Sequence, residues 1–199
     1  MSTVRAVTLA ELAVPRGHAL GGVLLVVAAS LVTAAAAQIA LPLPWSPVPI
    51  TGQTFAVLLS GAVLGARRAF LAQALYLVEG AAGLPVFAGG AGGAHVLVGP
   101  TAGYLMAFPL AAAVTGALAE RGFDRHFLTM MAAMLLGSAV IFALGLAGLS
   151  RFLPGQQLVA TGLLPFLPGD LLKSALAAGA FPALWRLIDR SGARGGLDT

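Results

Sequence analysis

The chain has 199 residues, 59% of them hydrophobic and only 9% charged; a soluble domain carries about a quarter charged residues, so this is a membrane protein. Its net charge of +4 would suggest nucleic acid in a soluble chain, but here the arginines sit between apolar runs, which is the pattern of membrane topology. Without cysteine there is no disulfide framework, thiol nucleophile or thiolate metal site.

Residues 1–18 carry Glu11 and lack a short apolar core followed by a small-residue cleavage site, so no signal peptide is expected. Apolar runs then predict membrane helices over 19–41, 50–66, 69–87, 101–119, 127–149 and 170–188. The expected fold is all-α: a bundle of six transmembrane helices forming a single integral membrane domain over 1–199. The run 50–66 is at the short end for a span, and with 69–87 it also fits one re-entrant hairpin. Two spans hold ionisable groups, Glu79 in the third and Asp170 with Lys173 in the last.

The basic residues fall on alternate connections. Arg5 and Arg16 precede the first span, Arg67 and Arg68 follow the second, Arg121 and Arg125 follow the fourth, and Arg186, Arg190 and Arg194 close the chain. The other connections, 42–49, 88–100 and 150–169, hold only Arg151. The positive-inside rule therefore predicts both termini in the cytoplasm. The outer connections are long, uncharged and rich in Gly and Pro, as in "LPLPWSPVPITGQT" and "GLPVFAGGAGGAHVLVGPTAG". Irregular backbone near membrane depth must be buried in protein or line a cavity. A lid and binding face on the outer side is the expectation, with plain connecting turns as the bland alternative.

The chemistry is bounded by what is missing. The sole lysine follows Leu172, so no P-loop exists and the chain is not itself an ATPase. There is no HExxH, and His18, His95 and His126 are scattered, so a metal site is not expected. "LLSGA" at 58–62 lacks the G-x-S-x-G spacing of a nucleophile elbow; the chain does not read as an enzyme. "GGAGG" at 89–93 does not fit a nucleotide fingerprint; its glycines either bring backbone close to a ligand or form a lid tip. Small residues one turn apart (Gly61/Gly65, Ala36/Ala40, Ala175/Gly179) suit close helix packing in lipid.

An ion inside a span costs about 2.5–3.5 kcal/mol at the helix centre, which makes Asp170 and Lys173 functional suspects. A second reading stays open. Pro168-Gly169-Asp170 resembles a helix start, with Asp170 in the first turn and Lys173 paired to it at i+3.

The segments "PVPITGQTFAVLLSGAVLGARRA", "LYLVEGAAGLPVFAGGAGG", "VLVGPTAGYLMAFPLAA" and "FLPGDLLKSALA" resemble the BioY family, the biotin-specific substrate-binding (S) subunits of energy-coupling factor (ECF) transporters. The similarity runs from about Pro42 to Pro182. It implies a six-helix S-component fold in the cell (plasma or inner) membrane that binds biotin in an outward-facing pocket under loops. The implied partners are a transmembrane coupling subunit and two ABC-type ATPase subunits in the lipid bilayer, with no nucleic acid. No cofactor is implied for this chain, ATP being used by the ATPase subunits. The family's D-x-x-K ligand contacts match Asp170 and Lys173. The loop with Gly89, Gly90, Gly92 and Gly93 and the first outer loop from Trp45 to Gln53 are implied to close over the ligand. Trp45, Phe87 and Tyr104 are expected to flank the biotin bicycle, Thr51 and Gln53 to add hydrogen bonds, and Glu79 to lie near the same depth. The regular Ala-x-x-x-Ala docking face common on the first helix of S components is missing: Ser30/Ala34 and Ala36/Ala40 are out of register. His95 is assigned no role. An S component for another vitamin, and a ligand-free membrane scaffold or assembly protein, remain alternatives.

Overall fold

The computed structural model describes residues 6–14 and 18–190. Arg5, Arg16 and Arg194, used in the topology argument, lie outside the described residues.

Backbone polar groups in lipid have no water to bond, so apolar runs resolve as helices that satisfy their own amides. The helices are α1 (Leu9–Ala13), α2 (Ala19–Ala37), α3 (Gln53–Leu64), α4 (Ala66–Ala81), α5 (Ala102–Ala119), α6 (Phe127–Leu149), α7 (Gly155–Gly162) and α8 (Leu167–Arg190). Among the described residues α2, α5, α6 and α8 are long and apolar enough to cross a membrane. The expected spans 50–66 and 69–87 emerge shorter, as α3 with 12 residues and α4 with 16. At 1.5 Å per residue these reach about 18 and 24 Å, less than the roughly 30 Å hydrocarbon thickness.

The shortening has a local cause. Pro47 and Pro49 hold the chain extended before α3, and the Gly83-Leu84-Pro85 sequence stops α4. Residues 40–51, expected as the end of the span 19–41, the lid connection 42–49 and the start of the span 50–66, instead form a β-hairpin, β1 (Ala40–Leu43) against β2 (Ser46–Thr51), antiparallel with Ala40 opposite Thr51 and Leu43 opposite Ser46. Pro42, Pro47 and Pro49 are tolerated because a two-stranded ribbon leaves each strand one edge where a missing N–H breaks no ladder. The connection between α6 and α8 likewise contains the short helix α7.

α5 occupies the centre, packed on α3, α4 and α6; α2 lies on α4 and α3, and α8 on α6. Small side chains set these distances. A methyl group added at Gly61 of α3 would lie 3.0 Å from Thr115 of α5, a close approach of the kind small residues permit in lipid. Gly179 would meet nothing within 4 Å. On α2, Ser30 and Ala34 are turned into the bundle, while Leu20, Val23, Leu24, Leu31 and Val32 are exposed.

Candidate ligand-binding site

Because α3 begins late and α4 ends early, a hollow of about 230 Å³ remains where the starts of α3, α5 and α8 meet the second half of α6. The hairpin and the connection between α4 and α5 border it through Val48, Ile50, Phe87, Ala88 and Ala91. Aromatic rings of Phe87, Tyr104, Phe108, Phe142 and Phe166 supply much of the apolar wall. The polar groups are few: Thr51, Thr101, Gln53, Thr54, Asp170 and Lys173. An apolar hollow with a few convergent polar groups is the usual form of a small-molecule site.

Asp170 enters from the first turn of α8, where Pro168 is tolerated because its missing N–H has no intrahelical partner there anyway. The Asp170 N–H reaches the Phe166 carbonyl at 2.9 Å. Its Oδ1 accepts from Ser138 Oγ on α6 at 2.7 Å. Lys173 Nζ donates to the Thr51 carbonyl at 2.8 Å and to Thr54 Oγ1 at 3.4 Å. Each charge is therefore held by neutral groups of another element rather than by its neighbour three residues away. An ammonium has three donors and a carboxylate about four acceptor sites, so both retain capacity towards the hollow. One wall of an apolar cavity thus offers an acceptor anion beside a donor cation. That combination suits a small, largely apolar ligand bearing both N–H groups and carbonyl or carboxylate oxygens.

Of the residues named from sequence, Thr51, Gln53, Phe87, Tyr104, Asp170 and Lys173 are brought together around the hollow. Tyr104 is anchored by donating to the Gly162 carbonyl at 2.8 Å, and its ring lies 6.5 Å from that of Phe166. Gly89, Gly90, Gly92 and Gly93 shape the neighbouring loop without lining the hollow; Ala88 and Ala91 face it. A side chain at Gly92 would collide with the carbonyls of Gly83 and Leu84, so that glycine serves the loop's own fold. Trp45 sits at the hairpin turn, 63% exposed and outside the lining. Glu79 is likewise outside it and accepts from Ser30 Oγ across the α2–α4 contact.

Ser138, Thr54, Phe108, Phe142 and Phe166 join the site without having been singled out. Ser138 carried a readable signal, being one of only two hydroxyl residues in the 23-residue apolar α6. Phe166 lies four residues before Asp170, one helical turn away. The other three look like ordinary apolar-segment residues until the tertiary structure places them.

Residues 8–190 match the profile described as the BioY family. A protein of Thermotoga maritima named "Biotin transporter BioY" is 44% identical over 137 residues, covering 68% of this chain and 80% of that protein. One of Rhodobacter capsulatus with the same name is 41% identical over 158 residues, covering 73% and 82% respectively. Among solved structures, the crystal structure of the S-component for biotin from an ECF-type ABC transporter superposes with a TM-score of 0.76. It shares 23% identity and is covered over 94% of its length by 86% of this chain, which establishes the shared fold.

Proposed function

Since the chain belongs to the BioY family, we propose that it captures extracellular biotin and delivers it across the cell membrane as the substrate-binding subunit of an ECF-type transporter. It is a transport protein and not an enzyme. The observation that carries the substrate assignment is the pair of opposite charges, each hydrogen-bonded only to neutral groups, on one wall of an aromatic cavity. Biotin carries two ureido N–H groups beside a polar carbonyl, an apolar bicycle and a terminal carboxylate. Asp170 accepts from a ureido N–H, and Lys173 donates to the ureido oxygen or the carboxylate. Phe87 and Tyr104 flank the bicycle, while Thr51 and Gln53 supply the remaining polar contacts. The glycine-rich loop and the hairpin form the rim over it, the hairpin through Val48 to Thr51 and with the Trp45 tip standing clear of the ligand.

In this reading the short α3 and α4 count as two further spans, which makes six, with both termini in the cytoplasm and the chain one membrane domain. The clustering of Arg67, Arg68, Arg121, Arg125, Arg186 and Arg190 at one set of helix ends and connections supports this orientation. The cavity then opens outward in a plasma or inner membrane. The chain needs no cofactor; a coupling transmembrane subunit and two ABC-type ATPases supply the energy.

Native mass spectrometry of the detergent-purified protein tests the ligand, with a co-purified mass equal to biotin expected. A thermal shift with riboflavin or thiamine and none with biotin would transfer the site to another vitamin. Reporters active only in the cytoplasm, fused to each end, test the orientation: signal from one end alone would contradict it.

A further inference from the structure

Tyr76 on α4 is fully buried and does not line the cavity, yet it touches three residues that do. It accepts from Gln53 Nε2 at 2.5 Å. Its ring meets Phe87 edge-on, with centroids 5.5 Å apart at 84°, and stacks on Phe108 at 6.4 Å and 26°. Its hydroxyl also donates to the carbonyl of Val86, 3.0 Å away in the connection that follows α4.

The proton count gives this contact a direction. A phenol has one hydrogen, and the Val86 carbonyl, which has none to give, takes it. Tyr76 therefore accepts from Gln53, so the amide nitrogen of Gln53 faces Tyr76 and its oxygen faces Thr51. Thr51 Oγ1 donates to that oxygen at 3.0 Å, and the Thr51 carbonyl accepts from Lys173 Nζ. A directed series of contacts thus runs from the loop at Val86 through Tyr76, Gln53 and Thr51 to the ammonium. Gly80 keeps the loop close, since a Cβ there would strike the Phe87 ring.

We propose that Tyr76 is a positioning residue: its hydroxyl sets the sense of the Gln53 amide and latches the Val86–Phe87 segment to the start of α3, so that loop and hairpin hold the ligand as one unit. The proposal rests on the reading of this cavity as the biotin site. Without the hydroxyl, the Val86 carbonyl loses its buried donor and the amide can turn over, presenting the wrong group to the ligand.

Tyr76→Phe removes one atom and keeps every ring contact. In the full chain, its biotin dissociation constant should rise at least about fivefold, with faster dissociation. In a Gln53→Met background the same change should cost less than about twofold, because coupled sites fail to add. Affinity within about twofold of wild type, a shift of melting temperature alone, or losses that multiply in the double variant would each overturn the proposal. A second measurement needs neither the variant nor a ligand. In wild-type protein, amide exchange of residues 51–56 and 84–91 should proceed through a common opening rate, as for one cooperative unit; independent opening would overturn the latch. Wild-type protein that fails to bind biotin sinks the functional reading, and amide exchange still decides the latch.

Discussion

The two ends of α8 each bring a buried carboxylate together with a basic side chain, and they satisfy it in opposite ways. At the far end Asp124, in the short turn Phe123–Arg125, is fully buried. It accepts from Trp185 Nε1 at 2.5 Å and from Arg125 Nε at 3.1 Å. The Arg125 guanidinium lies 3.3 Å over the Trp185 ring and also donates to the Val7 carbonyl at 2.7 Å. Burial pushes the Asp124 carboxyl above its usual range, against the pull of Trp185 and Arg125. At the near end, Asp170 has one side-chain donor, Ser138, and Lys173 has two neutral acceptors. Charge and counter-charge meet in the first cluster, while in the second both face a cavity. Two charged pairs of similar composition are thus satisfied differently: one closes a helix connection, and the other leaves bonding capacity facing a cavity.

The contrast breaks most visibly at Asp124. Asp124→Leu removes one partner of a buried pair, which costs about 3–5 kcal/mol. A melting curve should show that loss, while biotin affinity stays within about twofold of wild type among molecules that remain folded. A large loss of affinity without a loss of stability would erase the distinction between the two ends.

Next in size is the near end. Asp170→Asn and Lys173→Met should each weaken biotin by more than about tenfold, or roughly 1.4 kcal/mol, with melting temperatures close to wild type. If both kept full affinity, the pair would reduce to a helix start. Ser138→Ala sharpens the same point, since it frees the Asp170 carboxylate without touching the ligand. The loss of one bond to a charged group is worth about 1.5–3 kcal/mol, shared between stability and binding, so calorimetric titration should show a smaller affinity loss than Asp170→Asn. The smallest effect belongs to Trp45→Ala. With the indole exposed outside the lining, affinity should change by less than about twofold; a tenfold loss would mean that the hairpin tip folds onto the ligand.

Much of this was legible in the sequence, for reasons that differ by element. The limits of α6 follow directly from the apolar run 127–149, because nothing within it interrupts a helix. α8 begins three residues earlier than charge placement suggested, since Pro168 fits the first turn. The hairpin was hidden by its prolines, which weaken any strand signal and are harmless only at the edges of a two-stranded ribbon. Asp170 and Lys173 stood out because charge is rare in such a chain. Tyr76 did not, and Ser138 stood out only as a hydroxyl in an apolar run: their roles come from residues 23 and 32 positions away that only the tertiary fold brings within reach.

The most direct test is equilibrium binding of labelled biotin to purified protein, with wild type, Asp170→Asn and Asp124→Leu measured side by side and riboflavin and thiamine as competitors. Saturable binding by the wild type that neither vitamin displaces, lost in Asp170→Asn and kept by folded Asp124→Leu, is the predicted result. Displacement by another vitamin, or undiminished binding by Asp170→Asn, would contradict the assignment of this cavity to biotin.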